Sequence, residues 1–173
     1  RKLGSFVDRV CLSLPGSGRE FSGEKLVYTG NPVRRNILEL ANLPPQKVDG
    51  GGKKTLLVLG GSQGAQAVNR LVSAGLRMLP DNVLADLRAI HQTGEHDFED
   101  IIKEYTERGI EAHVQPFFTD MAEIYSRADL LVSRAGATTL AEIAVLGKPA
   151  ILIPYPFAAD NHQEKNGDYY VAG

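Results

Sequence analysis

Three things are scarce in this chain: cysteine, net charge and long apolar runs. Cys11 is the single cysteine, so no disulfide can form within the chain, which fits a reducing compartment. The formal net charge is only -2, and Arg34-Arg35 is the nearest approach to a basic cluster. The clustered basic surface of a nucleic-acid-binding protein is therefore missing, and no nucleic-acid partner is expected. The best apolar run, Ala150 to Ala159, is short and broken by Pro154 and Pro156, so no stretch is long enough to span a bilayer. The opening residues do not read as a signal peptide. His91, His96, His113 and His162 are spread without the short spacings of a zinc site, and no metal site is expected.

What is present suffices for a core: 43% of residues are hydrophobic, an ordinary globular fraction. A length of 173 residues fits one domain, or one domain carrying a fragment of another. The chain begins with Arg1 and stops at Gly173 just after a helical pattern, so a piece of a longer protein is expected.

Phe6 to Leu12 and Lys25 to Tyr28 read as short strands, and Gly30-Asn31-Pro32 as a turn. Helical spacing of Val33, Ile37, Leu40 and Ala41 starts a helix near Val33, which Pro44-Pro45 ends. Asp49 to Gly52 reads as a flexible connection. From Lys53 onward strands and helices alternate. Strands are expected at Thr55–Leu59, Ala89–Gln92, Ala112–Gln115, Leu130–Ser133 and Ala150–Ile153. The helices between and after them run from Ala65 to about Met78, His96–Arg108, Asp120–Ala128 with Thr119 as cap, Thr139–Val145 and Asn161–Val171. Such alternation implies right-handed crossovers and a parallel sheet covered on both faces. The expected fold is α/β, a Rossmann-like doubly wound parallel sheet, whose ligands bind beyond the carboxyl ends of the strands.

Three loops fall at those ends. Gly60-Gly61-Ser62-Gln63-Gly64-Ala65 lets the backbone approach a phosphate at a helix N-terminus. A tight strand-to-helix turn would need the same residues. It is not a Walker A loop, and its spacing is not that of a dinucleotide fingerprint. In Ser133 to Glu142, Thr138 and Thr139 stand where a helix opens, so their hydroxyls and the free N–H groups could face a pyrophosphate. Thr139-x-x-Glu142 reads either as a capping box or as a helix start whose acid takes ribose hydroxyls. In Asn161 to Asn166, Asn161 can cap a helix and His162, Gln163 and Asn166 share its first turns. Their side chains suit neutral hydroxyls, although a solvated helix face has the same composition. Histidine is a residue type that serves as a general base, but no carboxylate is visibly placed to orient His162. No G-x-S-x-G elbow occurs, and Cys11 lies on an expected strand.

Taken together, GNPVR (Gly30 to Arg34), LGGSQGA (Leu59 to Ala65), HQTG (His91 to Gly94), PFFTDM (Pro116 to Met121), SRAGATTLAE (Ser133 to Glu142) and PYPFAADNHQEKN (Pro154 to Asn166) resemble the donor-sugar half of the MurG-type N-acetylglucosaminyltransferases. These are two-domain GT-B enzymes of peptidoglycan synthesis. The motifs stand in family order and cover nearly the whole chain from Gly30. The resemblance implies an inverting transferase that moves N-acetylglucosamine from UDP-N-acetylglucosamine to a lipid-linked muramyl-pentapeptide, without a metal or other cofactor. It puts Arg34 and Phe118 at the nucleoside, with Phe118 beside the uracil. Ser62, Thr138 and Thr139 then fall at the diphosphate, together with the loop glycines Gly60, Gly61 and Gly64. Glu142 takes the ribose, and His162, Gln163 and Asn166 surround the sugar.

The family's glycine-rich acceptor loop, with the histidine proposed as general base, has no counterpart here. No catalytic residue is therefore expected in this chain. Residues 1–30 are expected to be the tail of an acceptor domain, 31–52 an interdomain segment, and 53–173 the donor-binding domain, truncated at its C-terminus. The fragment is expected to be soluble and to bind the donor without turning it over. The lipid acceptor and a peripheral location on the cytoplasmic face of the bacterial plasma membrane belong to the full-length protein. Competing readings are a non-catalytic subunit that borrows its catalytic half, a glycolipid-forming transferase, and a dinucleotide oxidoreductase, the last disfavoured by the GGSQGA spacing.

Overall fold

The computed structural model describes residues 6–14, 17–18, 21–44, 52–61, 65–156 and 161–172. Ser62, Gln63, Gly64 and Asp160, and most of the connection after Pro44, lie outside the described residues.

Two short strands, β1 (Val10–Leu12) and β2 (Leu26–Tyr28), pair in parallel in a sheet of their own. The helix α1 (Arg35–Ala41) follows, beginning two residues later than the apolar spacing suggests because Arg34 is still extended. Ile37 of α1 is fully buried, in one cluster with Leu57, Phe118, Tyr125 and Ile143.

The main sheet holds β3 (Lys54–Leu59), β4 (Leu87–Gln92), β5 (Glu111–Gln115), β6 (Leu130–Ser133) and β7 (Ala150–Leu152). Its order is β5-β4-β3-β6-β7, and every pairing is parallel. Both faces are covered, and the strands show it residue by residue. Leu57, Ile90 and Leu131 join the cluster under α1, while Val58, Ala89 and Val132 join a second cluster on the opposite face. Successive side chains of a strand point to opposite faces, so a strand buried on both sides reads as a continuous apolar run.

The second face is built by α2 (Ala65–Arg77), α3 (Asp81–Ala85) and α4 (Phe98–Glu107). Val68, Val72 and Leu76 form the buried stripe of α2, at the spacing that keeps side chains on one helix face. α3 has only five residues, too few to leave a periodic signal in the sequence.

On the first face, α5 (Met121–Ser126) departs from the expected capping. Its N-cap is Asp120, not Thr119, and the Asp120 carboxylate accepts from the N–H groups of Ala122 (3.1 Å) and Glu123 (3.2 Å). Asp outcompetes Thr because a charged acceptor binds two free helix-start donors more strongly. Asp120→Ala is expected to cost about 1 kcal/mol, read as a lower urea midpoint at unchanged m-value.

The helix α6 (Ala137–Leu146) ends at Gly147, whose left-handed φ of 59° matches the expected glycine stop. The chain then runs through β7 into α7 (His162–Ala172). Asn161 precedes α7 in a left-handed conformation, φ 52°, which Asn tolerates better than most residues. Among the described residues, no helix is long and apolar enough to cross a membrane.

Candidate nucleotide-sugar site

The strand order places the site. Going outward from β3, the chain adds β4 and β5 on one side and β6 and β7 on the other. The order therefore reverses between β3 and β6, and a doubly wound sheet opens its ligand crevice at such a switch point. Leu59 and Ser133 are register partners at the carboxyl ends of these two strands. Gly60-Gly61 leaves one end and Arg134-Ala135-Gly136 the other.

Gly61 has a φ of 74°, a backbone state that favours glycine. A Cβ built there would lie 4.0 Å from Cγ of Arg134, so the two loops run side by side. Ser62 and Gly64 lie outside the described residues. Across the crevice, α6 starts on Gly136, with no side-chain cap. Thr138 and Thr139 occupy its first turn, Thr138 exposed and Thr139 half-buried. The free N–H groups of that turn and the two hydroxyls form an anion-ready edge.

Glu142 corrects the capping-box reading. α6 begins at Ala137 rather than at Thr139, so Thr139 is inside the helix and its pairing with Glu142 caps nothing. Glu142 is instead 2% exposed and held by a fork from Arg34, with Nε to Oε1 at 2.7 Å and Nη2 to Oε2 at 2.9 Å. The Tyr125 hydroxyl donates to Oε2 at 3.0 Å. Bidentate Arg–carboxylate pairs are strong and geometrically specific. The pairing with Glu142 raises the Arg34 pKa above its ordinary value. Burial, then the adjacent carboxylate, raise that of Tyr125. A carboxylate has about four lone-pair sites, and three are used here.

The ring of Phe118 is buried in the core, edge-on to His113 with centroids 5.2 Å apart. The Phe118 N–H donates to Gln92 Oε1 at 3.1 Å. Phe117 beside it is exposed.

The third loop folds back on the second. Asn166 donates through Nδ2 to the carbonyl of Ala135 at 3.2 Å, and Gln163 Oε1 accepts from the N–H of Tyr155 at 3.0 Å. These contacts orient both amides: Gln163 has its NH2 donors left over and Asn166 its carbonyl oxygen. His162, at the start of α7, is exposed.

Sequence reasoning missed Arg134 and Tyr125. Arg134 is buried, and its Nη1 donates to the carbonyls of Ile153 (3.3 Å) and Pro154 (3.1 Å). Its guanidinium also lies 5.3 Å from the centre of the Tyr155 ring, a cation–π distance. It thus ties the β6 exit to the β7 exit, and burial holds its pKa below the usual arginine value. Nothing local marks either residue, because their partners come from other elements. Among the described residues there is no group of three or more His, Cys, Asp or Glu that could hold a metal ion.

Residues 55–172 match the glycosyltransferase family 28 C-terminal domain. The chain belongs to that family. A relative from Desulfotalea psychrophila is 54% identical over 173 residues, covering 100% of this chain and 46% of its own length. One from Geobacter metallireducens is 46% identical over 168 residues, covering 97% of this chain and 46% of its own length. Both are named UDP-N-acetylglucosamine–N-acetylmuramyl-(pentapeptide) pyrophosphoryl-undecaprenol N-acetylglucosamine transferase. The crystal structure of MurG from Acinetobacter baumannii superposes with a TM-score of 0.71 at 32% identity, covering 97% of this chain and 45% of that one. The chain therefore spans about half the length of the family 28 proteins it matches. The doubly wound fold and the MurG-type resemblance expected from the sequence agree with these matches.

Proposed function

We propose that this chain is the donor-binding half of an inverting transferase that moves N-acetylglucosamine from UDP-N-acetylglucosamine to a lipid-linked muramyl-pentapeptide. The observation that carries the reading is what stands at the paired carboxyl ends of β3 and β6. A glycine turn leaves one, the α6 start follows the other, and Glu142 of α6 is locked in place by Arg34 and Tyr125.

In this reading the diphosphate lies against the Gly60–Gly64 turn and the α6 start, with Ser62, Thr138 and Thr139 donating hydroxyls. The remaining acceptor capacity of Glu142 takes a ribose hydroxyl. Arg34 borders the nucleoside, and the Phe118 carbonyl pairs with the base. Gln163 donates to sugar oxygens, Asn166 accepts from a sugar hydroxyl, and His162 stands at the rim.

During transfer, the acceptor hydroxyl bonds to the anomeric carbon as the bond from that carbon to the diphosphate oxygen breaks. The hydroxyl proton passes to a base on the acceptor half, outside this chain. The contribution made here is electrostatic: two helix starts stabilise the negative charge that grows on the departing diphosphate. Neither a metal nor another cofactor enters this reading. The acceptor lipid, the residue 1–30 segment as part of the acceptor domain, and peripheral attachment at the cytoplasmic face of the membrane belong to the same proposal for the whole protein.

Thermal unfolding of the chain with UDP-N-acetylglucosamine, UDP-glucose and NAD tests it. Saturation at one hundred times Kd adds about 2.7 kcal/mol, and UDP-N-acetylglucosamine is expected to give the largest shift. Stabilisation by NAD alone overturns the reading. Equal stabilisation by the two UDP-sugars favours a transferase with another donor.

A further inference from the structure

Behind the glycine turn lies a buried polar chain that the donor site does not use directly. Asn69 sits in the second turn of α2, and both it and His91 of β4 are 1% exposed. Asn69 Nδ2 lies 2.9 Å from the carbonyl of Thr93 and 2.7 Å from Oδ2 of Asp97. Both are acceptors, so Nδ2 must donate to each and Oδ1 must accept. His91 Nε2, 2.9 Å from that Oδ1, is then the protonated ring nitrogen. Nδ1 in turn accepts from the Tyr105 hydroxyl at 3.0 Å. Every member is satisfied, and the directions follow from one end of the chain to the other.

This arrangement is costly. Asp97 occupies the N-cap of α4 yet makes no side-chain cap bond there. Its oxygens go to Asn69 and, at 3.5 Å, to Gln66 of α2. An apolar trio of similar volume would stabilise a core at least as well. What hydrogen bonds add is registry. The apolar stripe of Val68, Val72 and Leu76 is non-directional and tolerates small sliding and rotation of the helix. Directional bonds at Asn69 and Gln66 pin the first two turns of α2 to the Thr93–Asp97 loop. The pinned end is the one that follows the glycine turn.

We propose that Asn69, held by His91 and Asp97, is a positioning residue that sets the N-terminus of α2 for the donor diphosphate. The inference rests on the donor reading above. The nucleoside end at Arg34 and Glu142 is held through α6 and Tyr125 of α5, away from this network, and serves as an internal control.

The test is calorimetric titration of the chain with UDP and with uridine. Asn69→Ala is expected to lower the ratio of UDP to uridine affinity by roughly fivefold to tenfold, on the scale of about 1.4 kcal/mol per decade. Asp97→Ala lowers it less, and Asp97→Asn, which keeps an acceptor for Asn69, restores most of the loss. Should Asn69→Ala not fold, the two Asp97 variants carry the same comparison. A fall of both affinities together, or an unchanged ratio beside a lower Tm, overturns the proposal and leaves the network a purely structural role. Failure of the unsubstituted chain to bind either ligand overturns the donor reading itself, which is a different result.

Discussion

Acidification from pH 7 to pH 5 is expected to cost the chain about 2 kcal/mol of folding stability through His91 alone. Burial lowers the His91 pKa to about 4, against the smaller opposing pull of Asp97 and Glu104. In the unfolded chain the ring takes up its proton near its ordinary value of about 6.5. Between these two values the unfolded state binds the extra proton and the folded state does not. The contribution is therefore complete above about pH 6.5 and is lost as pH falls, reaching on the order of 3 kcal/mol by pH 4. The geometry gives the same sign. Nε2 already donates, so a second proton on Nδ1 faces the Tyr105 hydroxyl that donates to it. Urea denaturation at pH 7 and pH 5 checks this. His91→Gln, which removes the titrating ring, should show a smaller loss on acidification than the unsubstituted chain, whereas equal losses contradict the assignment.

Glu142→Ala has the other large expected effect, and it acts on stability and binding together. The substitution leaves the Tyr125 hydroxyl buried without its acceptor, a penalty of about 1–3 kcal/mol. Arg34 is less affected, since its side chain is 46% exposed and can turn to water. We expect a stability loss of about 2 kcal/mol. If Glu142 takes ribose as proposed, UDP affinity of the folded fraction should fall by a further amount of about 1–3 kcal/mol, the scale of a lost charged hydrogen bond. Glu142→Gln separates the roles: it retains an acceptor for Tyr125 but gives up the fork with Arg34. Unchanged UDP affinity in both variants, beside lowered stability, would make the Arg34–Glu142–Tyr125 cluster a packing device only.

Much of the fold was legible because its signals are local. The apolar run Thr55–Leu59, the stop at Gly147 and the strand Leu130–Ser133 each depend on residues a few positions apart. The boundaries that moved are those where two neighbouring residues compete for one job. Asp120 took the cap expected at Thr119, and Gly136 took the helix start expected near Thr139. The ordered glycine and threonine motifs also fall beyond the carboxyl ends of β3 and β6. They could not say what Glu142 holds, since Arg34 is 108 positions away.

The sequence by itself therefore determined the strand–helix alternation, the parallel sheet and the list of groups gathered at its carboxyl edge. Periodicity, glycine and proline act over a single turn or strand, and they need no tertiary information. The tertiary structure decided which of those groups are spoken for. It closed Glu142 with Arg34 and Tyr125, buried the Phe118 ring, turned Gln163 and Asn166 to opposite hydrogen-bonding polarities, and joined Asn69 to His91 across 22 positions. Each of these depends on which strand lies beside which, and that order is set by packing the two apolar faces of the sheet at once.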